Sequence, residues 1–290
     1  MISYNPKDWI QFIFNFHKSD TIRKLFPIII LLSFYSWGIA YLEIEYFKLS
    51  ENSQVKNIPV MHSLLGFAIS MLLVFRTNTA YDRWWEGRRL WGSLVNTSRN
   101  LSLKLNGYLE HENDKQLFKE LIPHFAKVLK LHLQSDITRL ELDSLPHPEI
   151  PDFDNSKHVP AQVAGLMIDR INQLYKSGKL SGEQLIILNT DLSSFMDICG
   201  ACERIKNTPI PYSYSVFIKK FIFIYVMTLP FGFVFNLGYI TIPVVAFIFY
   251  VLASLEIIAE EIEDPFGKDD NDLPMERMAM AIKKNVEEIL

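Results

Sequence analysis

Three long uncharged runs and a polar, helically periodic middle alternate along the chain. Leu25 to Leu42 is 18 residues without a charge, Ile58 to Phe75 another 18, and Phe221 to Leu255 is 35. A hydrocarbon core about 30 Å thick takes roughly 20 helical residues, so each of the first two runs predicts one membrane span, over about 25–44 and 57–75. As one helix the third run would be about 52 Å long, too long for a single crossing. Pro230 and Pro243 bracket Phe235-Asn236-Leu237-Gly238-Tyr239, which reads as a turn, so two spans are expected over about 216–236 and 241–260. These runs lack the polar stripe of a helix buried in a soluble core. Asp8 near the start, and no small-residue cleavage site after the first run, argue that this run stays in place as a membrane helix.

The intervening region 76–215 is helical by period. Leu117, Leu121, Phe125, Leu129 and Leu133 recur four apart, with Val128 and Leu131 widening the apolar face. Asp136 to Lys157 reads as a loop with three prolines, and Pro160 to Tyr175 as a short helix. Ser181 and Gln184 form a capping-box pattern that opens a helix through Leu185, Leu188, Leu192, Phe195 and Cys199, closed by Pro209 and Pro211. Residues 1–20 carry Trp9, Phe12, Phe14 and Phe16 among polar residues, suited to a membrane interface or a neighbour. A tail, 261–290, holds an acidic run and a last helix. No internal repeat is present.

Charge sets the expected orientation. Lys7, Lys18, Arg23 and Lys24 precede the first span, and Arg76, Arg83, Arg88 and Arg89 follow the second. Between those spans Lys48 and Lys56 are offset by Glu43, Glu45 and Glu51, while Lys206, Lys219 and Lys220 precede the third. The positive-inside bias puts both termini and the middle in the cytoplasm. A net charge of −4 argues against nucleic acid as a partner.

Little of the sequence points to chemistry. There is no Gly-rich phosphate loop, no HExxH and no GxSxG, so no enzyme is expected. Cys199 and Cys202 form a CxxC without a second pair to complete zinc; two small residues on one packed helix face is the plainer reading. His62, inside the second span, is either a pH sensor near the outer mouth or a histidine reaching interface water. Most informative is Arg76-Thr77-Asn78-Thr79-Ala80-Tyr81-Asp82-Arg83-Trp84-Trp85-Glu86-Gly87-Arg88-Arg89-Leu90-Trp91-Gly92. Its tryptophans and arginines suit a membrane exit; the pairs Asn78/Tyr81 and Glu86/Arg89 could equally bond across helices or subunits.

That segment resembles the signature of the bestrophin family in its bacterial branch. Cys202-Glu203-Arg204-Ile205 with Thr208-Pro209-Ile210-Pro211, and Asp264-Pro265-Phe266-Gly267 with Asp269, Asp270 and Asp272, are similar to further family motifs in the same order. The resemblance covers essentially the whole chain. It implies one all-α unit, 1–290, with four transmembrane helices and a cytoplasmic helical bundle, assembled as a homopentamer in a cell inner (plasma) membrane. Its partners would be lipid, identical subunits and permeant inorganic ions. The family's pore neck, carried over without gaps, falls on Val60, Leu64 and Ala68; a Gly66-Phe67 match places Ser63 and Phe67 inward instead. A ring of apolar side chains gates by dewetting. The cytoplasmic constriction falls near Leu185 and Ile186, and Arg76, Asn78, Tyr81, Trp85, Glu86 and Arg89 are the assembly signature.

The acidic run is similar to the calcium clasp of animal members, with Asp269 and Asp272 as acidic ligands and Asp264 at a carbonyl position; oxygen donors suit calcium. Bacterial members are expected to need no cofactor, which leaves a solvated acidic loop as the other reading. Family members conduct chloride and other anions, while bacterial ones can favour monovalent cations. A secondary transporter or a membrane-anchored signalling protein is the alternative, weakened by the absence of charge at mid-membrane in the last two spans.

Overall fold

The chain is described by a computed structural model covering residues 20–47, 58–134, 154 and 157–290. The aromatic N-terminal stretch 1–19, the loop cations Lys48 and Lys56 with Glu51, and most of the Pro-containing loop 136–157 lie outside the described residues. Among the described residues the structure is all helix, with no strand. In chain order the helices are α1 (Asp20–Tyr41), α2 (Ile58–Tyr108), α3 (Glu112–Gln134), α4 (Val159–Lys176), α5 (Gly182–Asn207), α6 (Tyr212–Leu237), α7 (Thr241–Glu263) and α8 (Met275–Ile289).

The residues gather into two compact units. One holds the described residues of Arg83–Thr208 and Asp264–Leu290, the other Pro209–Glu263 together with the described residues up to Asp82. The second unit contains the predicted spans. Helix α1 is prolonged by a π-helical turn, Leu42–Tyr46, where Phe47 N–H donates to the Leu42 carbonyl at 2.8 Å. Helices α6 and α7 are divided near the expected turn. Gly238 takes φ +55°, where a side chain would be strained, and a single 3₁₀ turn, Gly238–Ile240, leads into α7. Leu25, Leu32, Ile69, Leu73, Ile222, Leu229 and Phe249 form this unit's core.

Helix α2 departs from the expected 57–75 span. It runs unbroken for 51 residues, about 76 Å at 1.5 Å per residue. The composition turns charged after Phe75, yet the buried line continues through Arg76, Ala80, Trp91, Leu94, Leu101 and Leu105 at spacings that stay on one helix face. No Pro follows Pro59 within it, and nothing stops the helix until Leu109.

The other unit is a helical bundle around Phe118, Phe125, Leu129, Met167, Leu188 and Phe195. Ser181 and Gln184 form the anticipated capping box at the start of α5. By length and hydropathy α5 also qualifies as a span, but its packing says otherwise. Leu188, Leu192, Phe195 and Cys199 are buried in this core, and Asp191 is bonded by Lys104 at 2.7 Å. The free Cys199 and Cys202 thiols sit on the packed face, as the plainer reading of the CxxC expected. Asp114, buried at the start of α3, accepts from Arg170 at 2.6 Å and Lys179 at 2.8 Å. Burial would raise its pKa, but these two bonds outweigh it and hold the carboxyl below its usual value.

Phe195 meets Phe125 edge-on, with ring centroids 5.0 Å apart and an 88° interplanar angle. Phe195→Ala is expected to destabilise the bundle by about 3–5 kcal/mol, read as a lower thermal-unfolding midpoint of detergent-purified protein.

Candidate pore wall and signature segment

The first half of α2 presents two unlike faces. His62, Ile69, Leu73, Arg76 and Ala80 are buried, whereas Val60, Leu64, Phe67, Met71 and Val74 are exposed. Val60, Leu64 and Phe67 are 67%, 70% and 68% exposed, the arc on which both candidate neck registers converge. Ser63 is exposed with them, and Ala68 is half-buried at the edge of the arc. Stepping four residues turns a helix 400°, so the line 60–64–68 drifts about 80° and leaves the face. The exposed line runs 60–64–67–71–74 instead. Ser63 and Ser70 donate their hydroxyl hydrogens to Pro59 and Gly66 carbonyls at 3.0 and 2.7 Å. That leaves the face mainly apolar, with no serine hydrogen pointing outward for an ion to bind.

His62 is buried rather than at interface water. Nδ1 donates to the Ile58 carbonyl, and Nε2 meets the Thr228 hydroxyl of α6, both at 3.0 Å. The ring is therefore a packed link between α2 and α6, set edge-on against Tyr225.

Arg76 is the charged centre of the second unit. It is 1% exposed, and its Nη2 lies 2.7 Å from Glu263, with Nε 3.6 Å from Glu256, itself buried. The Glu263 carboxylate also accepts the Ile210 N–H at 2.6 Å, closing the chain just after the Pro209–Pro211 break. This network escaped the sequence reading, although an arginine at the end of one apolar run and a glutamate at the end of another were its visible trace.

The remaining signature residues divide between two faces of α2. Arg83 donates to the Thr208 and Ile205 carbonyls at 2.5 and 2.6 Å, and Trp84 Nε1–H to the Asn271 carbonyl at 3.0 Å. Trp91 is fully buried. Gly87 allows the close approach of the acidic loop, since a Cβ there would stand 3.1 Å from Pro265 and 3.2 Å from the Phe266 ring. Glu86 accepts from Arg204 of α5 at 2.8 Å, a bond across helices, while Arg89 is exposed. Asn78, Tyr81 and Trp85 are exposed on the opposite face. Of the guessed constriction pair, Leu185 packs against the bundle core and Ile186 is 71% exposed.

The acidic loop folds on itself. Asp272 is buried; its Oδ2 accepts the Asp269 N–H at 2.5 Å, and its Oδ1 has no hydrogen-bond partner. Asp264 Oδ1 accepts the Phe266 N–H at 3.3 Å, and Asp264 and Asp269 are exposed. Burial first, with Asp269 and Asp264 adding to it, pushes the Asp272 carboxyl up to about 7. Asp272 Oδ1 is thus placed to take either a proton or a cation, and the oxygen-only donors suit a hard ion.

Whole-chain comparisons fit this arrangement. Residues 1–288 match the model of the bacterial/fungal bestrophin proteins. The chain belongs to that family. A Nostoc voltage-dependent anion channel-forming protein is 37% identical over 243 residues, covering 80% of this chain and 79% of its own. One from Synechocystis is 31% identical over 295 residues, covering 99% and 94%. The crystal structure of a bacterial bestrophin homolog from Klebsiella pneumoniae superposes with a TM-score of 0.78 at 29% identity, over 92% of this chain and 98% of that one. This bestrophin is accordingly a membrane protein, and its family is one of channels rather than enzymes.

Two outcomes check the buried charges. Arg76→Gln is expected to cost about 3–5 kcal/mol by stranding two glutamates, and adding Glu256→Gln with Glu263→Gln recovers most of the thermal midpoint. Asp272 binds its proton more tightly folded than unfolded, so its contribution to stability falls as pH rises from about 4 towards about 7. Asp272→Asn, which keeps the acceptor oxygen, is expected to raise the midpoint at pH 8 and match the parent at pH 5. Calcium raising the parent midpoint at pH 8, but not the variant's, identifies the loop as a clasp.

Proposed function

We infer that this bestrophin forms an anion channel, with the exposed apolar face of α2 lining its neck. The carrying observation is the whole-chain family match, joined to relatives at 31–37% identity that are named as voltage-dependent anion channel-forming proteins. An apolar lining suits passive conduction, because it holds ions weakly and closes by dewetting. A coupled transporter calls for ionisable groups facing a mid-membrane path, and Arg76, Glu256 and Glu263 of this unit are bound to one another.

Five identical subunits about one axis, in an inner membrane with cytoplasmic termini, is the assembly we propose. The positive flanks of the first two spans support that orientation. In such an assembly the line Val60, Leu64 and Phe67 supplies stacked apolar rings, Ser63 stands beside them, and Ala68 lies at the margin. Exposed Asn78, Tyr81 and Trp85 are placed to meet a neighbouring subunit, and exposed Ile186 supplies the second constriction better than Leu185. The acidic loop is read as a proton-satisfied structural element, with calcium as its competitor.

Purified protein in planar bilayers is expected to show single-channel steps whose reversal potential follows the chloride gradient, unchanged when N-methylglucamine replaces sodium. A potential that follows sodium instead makes it a cation channel, and silence rejects conduction altogether. Val60→Cys, Leu64→Cys and Phe67→Cys are expected to lose current to a charged thiosulfonate reagent, while Ile69→Cys, on the packed face, keeps it.

A further inference from the structure

Three side chains outside the pore wall converge where sequence distance gave no hint of it. His132 lies in the last turn of α3, His158 caps the N-terminus of α4, and Glu203 stands in the last two turns of α5. Both histidine Nε2 atoms lie 2.6 Å from the same carboxylate oxygen, Glu203 Oε1. The two rings stand 4.8 Å apart at 67°, so their nitrogens approach that oxygen from different directions. The three donor atoms all fall within 4.8 Å of one another.

We propose that His132, His158 and Glu203 bind one divalent transition-metal ion, with zinc the best match to their donors. Two imidazoles and a carboxylate form a donor set used by zinc sites that retain a water as fourth ligand. Calcium and magnesium prefer an all-oxygen shell, so this cluster and the acidic loop select different ions. Tetrahedral zinc keeps its ligands about 2.0–2.2 Å away and hence about 3.3 Å from each other. Each histidine–carboxylate distance therefore has to open by about 0.7 Å from 2.6 Å (3.3 − 2.6), a movement within reach of side chains on three separate elements. Their side chains are 14%, 36% and 28% exposed, which leaves an ion a way in.

One feature opposes binding. Without an ion, His158 Nδ1 accepts the Ala161 N–H at 3.1 Å, which places the ring proton on Nε2, pointing at Glu203. Coordination through Nε2 moves that proton to Nδ1 and gives up the helix cap. The cap is a single bond at a helix end, whereas three ligand bonds to zinc stabilise the folded site more strongly. Binding therefore prevails, and the hydrogen-bonded triad is the ion-free form of the site. The bound ion would tie the end of α3 and the start of α4 to α5, across the Pro-containing segment 133–157.

Zinc counting on the intact protein tests this without reference to current. Protein stripped with EDTA and dialysed against zinc chloride is expected to hold about one zinc per chain by plasma mass spectrometry, and zinc is expected to raise its thermal midpoint. Glu203→Gln and His158→Asn are expected to weaken binding at least about a hundredfold and to abolish the thermal gain. Asparagine retains a capping oxygen, so His158→Asn separates loss of the ion from loss of the helix start. Asp269→Asn, in the acidic loop, is expected to bind zinc as the parent does. Failure of the parent to bind zinc overturns the proposal, as does unchanged binding by both Glu203→Gln and His158→Asn.

Discussion

The buried guanidinium of Arg76 fixes the rotation of α2, and the character of that helix's other face follows from it. A charge removed from water is tolerated only beside an opposite charge, and here Glu263 and Glu256 provide it from the end of α7. Turning α2 by one residue, 100°, would carry Arg76 out of that environment and strand both carboxylates. Breaking such a pair costs several kcal/mol, comparable to the whole margin of a folded domain. With Arg76 held inside, His62, Ile69 and Leu73 are inside as well, and Val60, Leu64 and Phe67 face out. The link to Ile210, through the same Glu263, ties the Pro209–Pro211 break to that setting.

This constraint explains which parts of the structure were legible in the sequence. Apolar length alone announced four spans, because the bilayer imposes a fixed thickness that few soluble segments imitate. The capping box at Ser181 and the i+4 leucines of α3 were equally plain, since both are local patterns. The end of α2 was not. Charges after Phe75 look like a membrane exit, but a helix ends where its backbone is interrupted and not where its side chains change. With no proline after Pro59 and no turn signal such as Asn-Gly until Asn106-Gly107, the helix continues to Tyr108.

The candidate neck residues are arranged by helix geometry. Counting in fours from Val60 reaches Ala68, yet a helix closes 3.6 residues per turn, so the face of Val60 passes to Leu64 and Phe67. The two registers that looked like rivals, one through Val60 and Leu64 and one through Ser63 and Phe67, share one exposed arc. In the proposed assembly, packing between subunits selects which of those side chains projects farthest, and no pattern in a single chain encodes that.

The cluster at Glu203 was beyond sequence reasoning for a third reason. His132, His158 and Glu203 are separated by 26 and 45 positions (158 − 132 and 203 − 158), far from any compact metal motif. Only packing of α3, α4 and α5 around Phe125 and Phe195 brings them together. Glu203 belongs to the segment Cys202-Glu203-Arg204-Ile205, where family resemblance drew attention to order and not to chemistry. Its neighbours then divide the work by direction: Arg204 reaches outward to Glu86 on α2, and Glu203 reaches towards the two histidines. Adjacent residues of one helix thus hold opposite partners, joining the long α2 to the bundle on one side and α3 with α4 on the other. A ligand that tightened the Glu203 side would act on the same turn of α5 from which Arg204 bonds to Glu86.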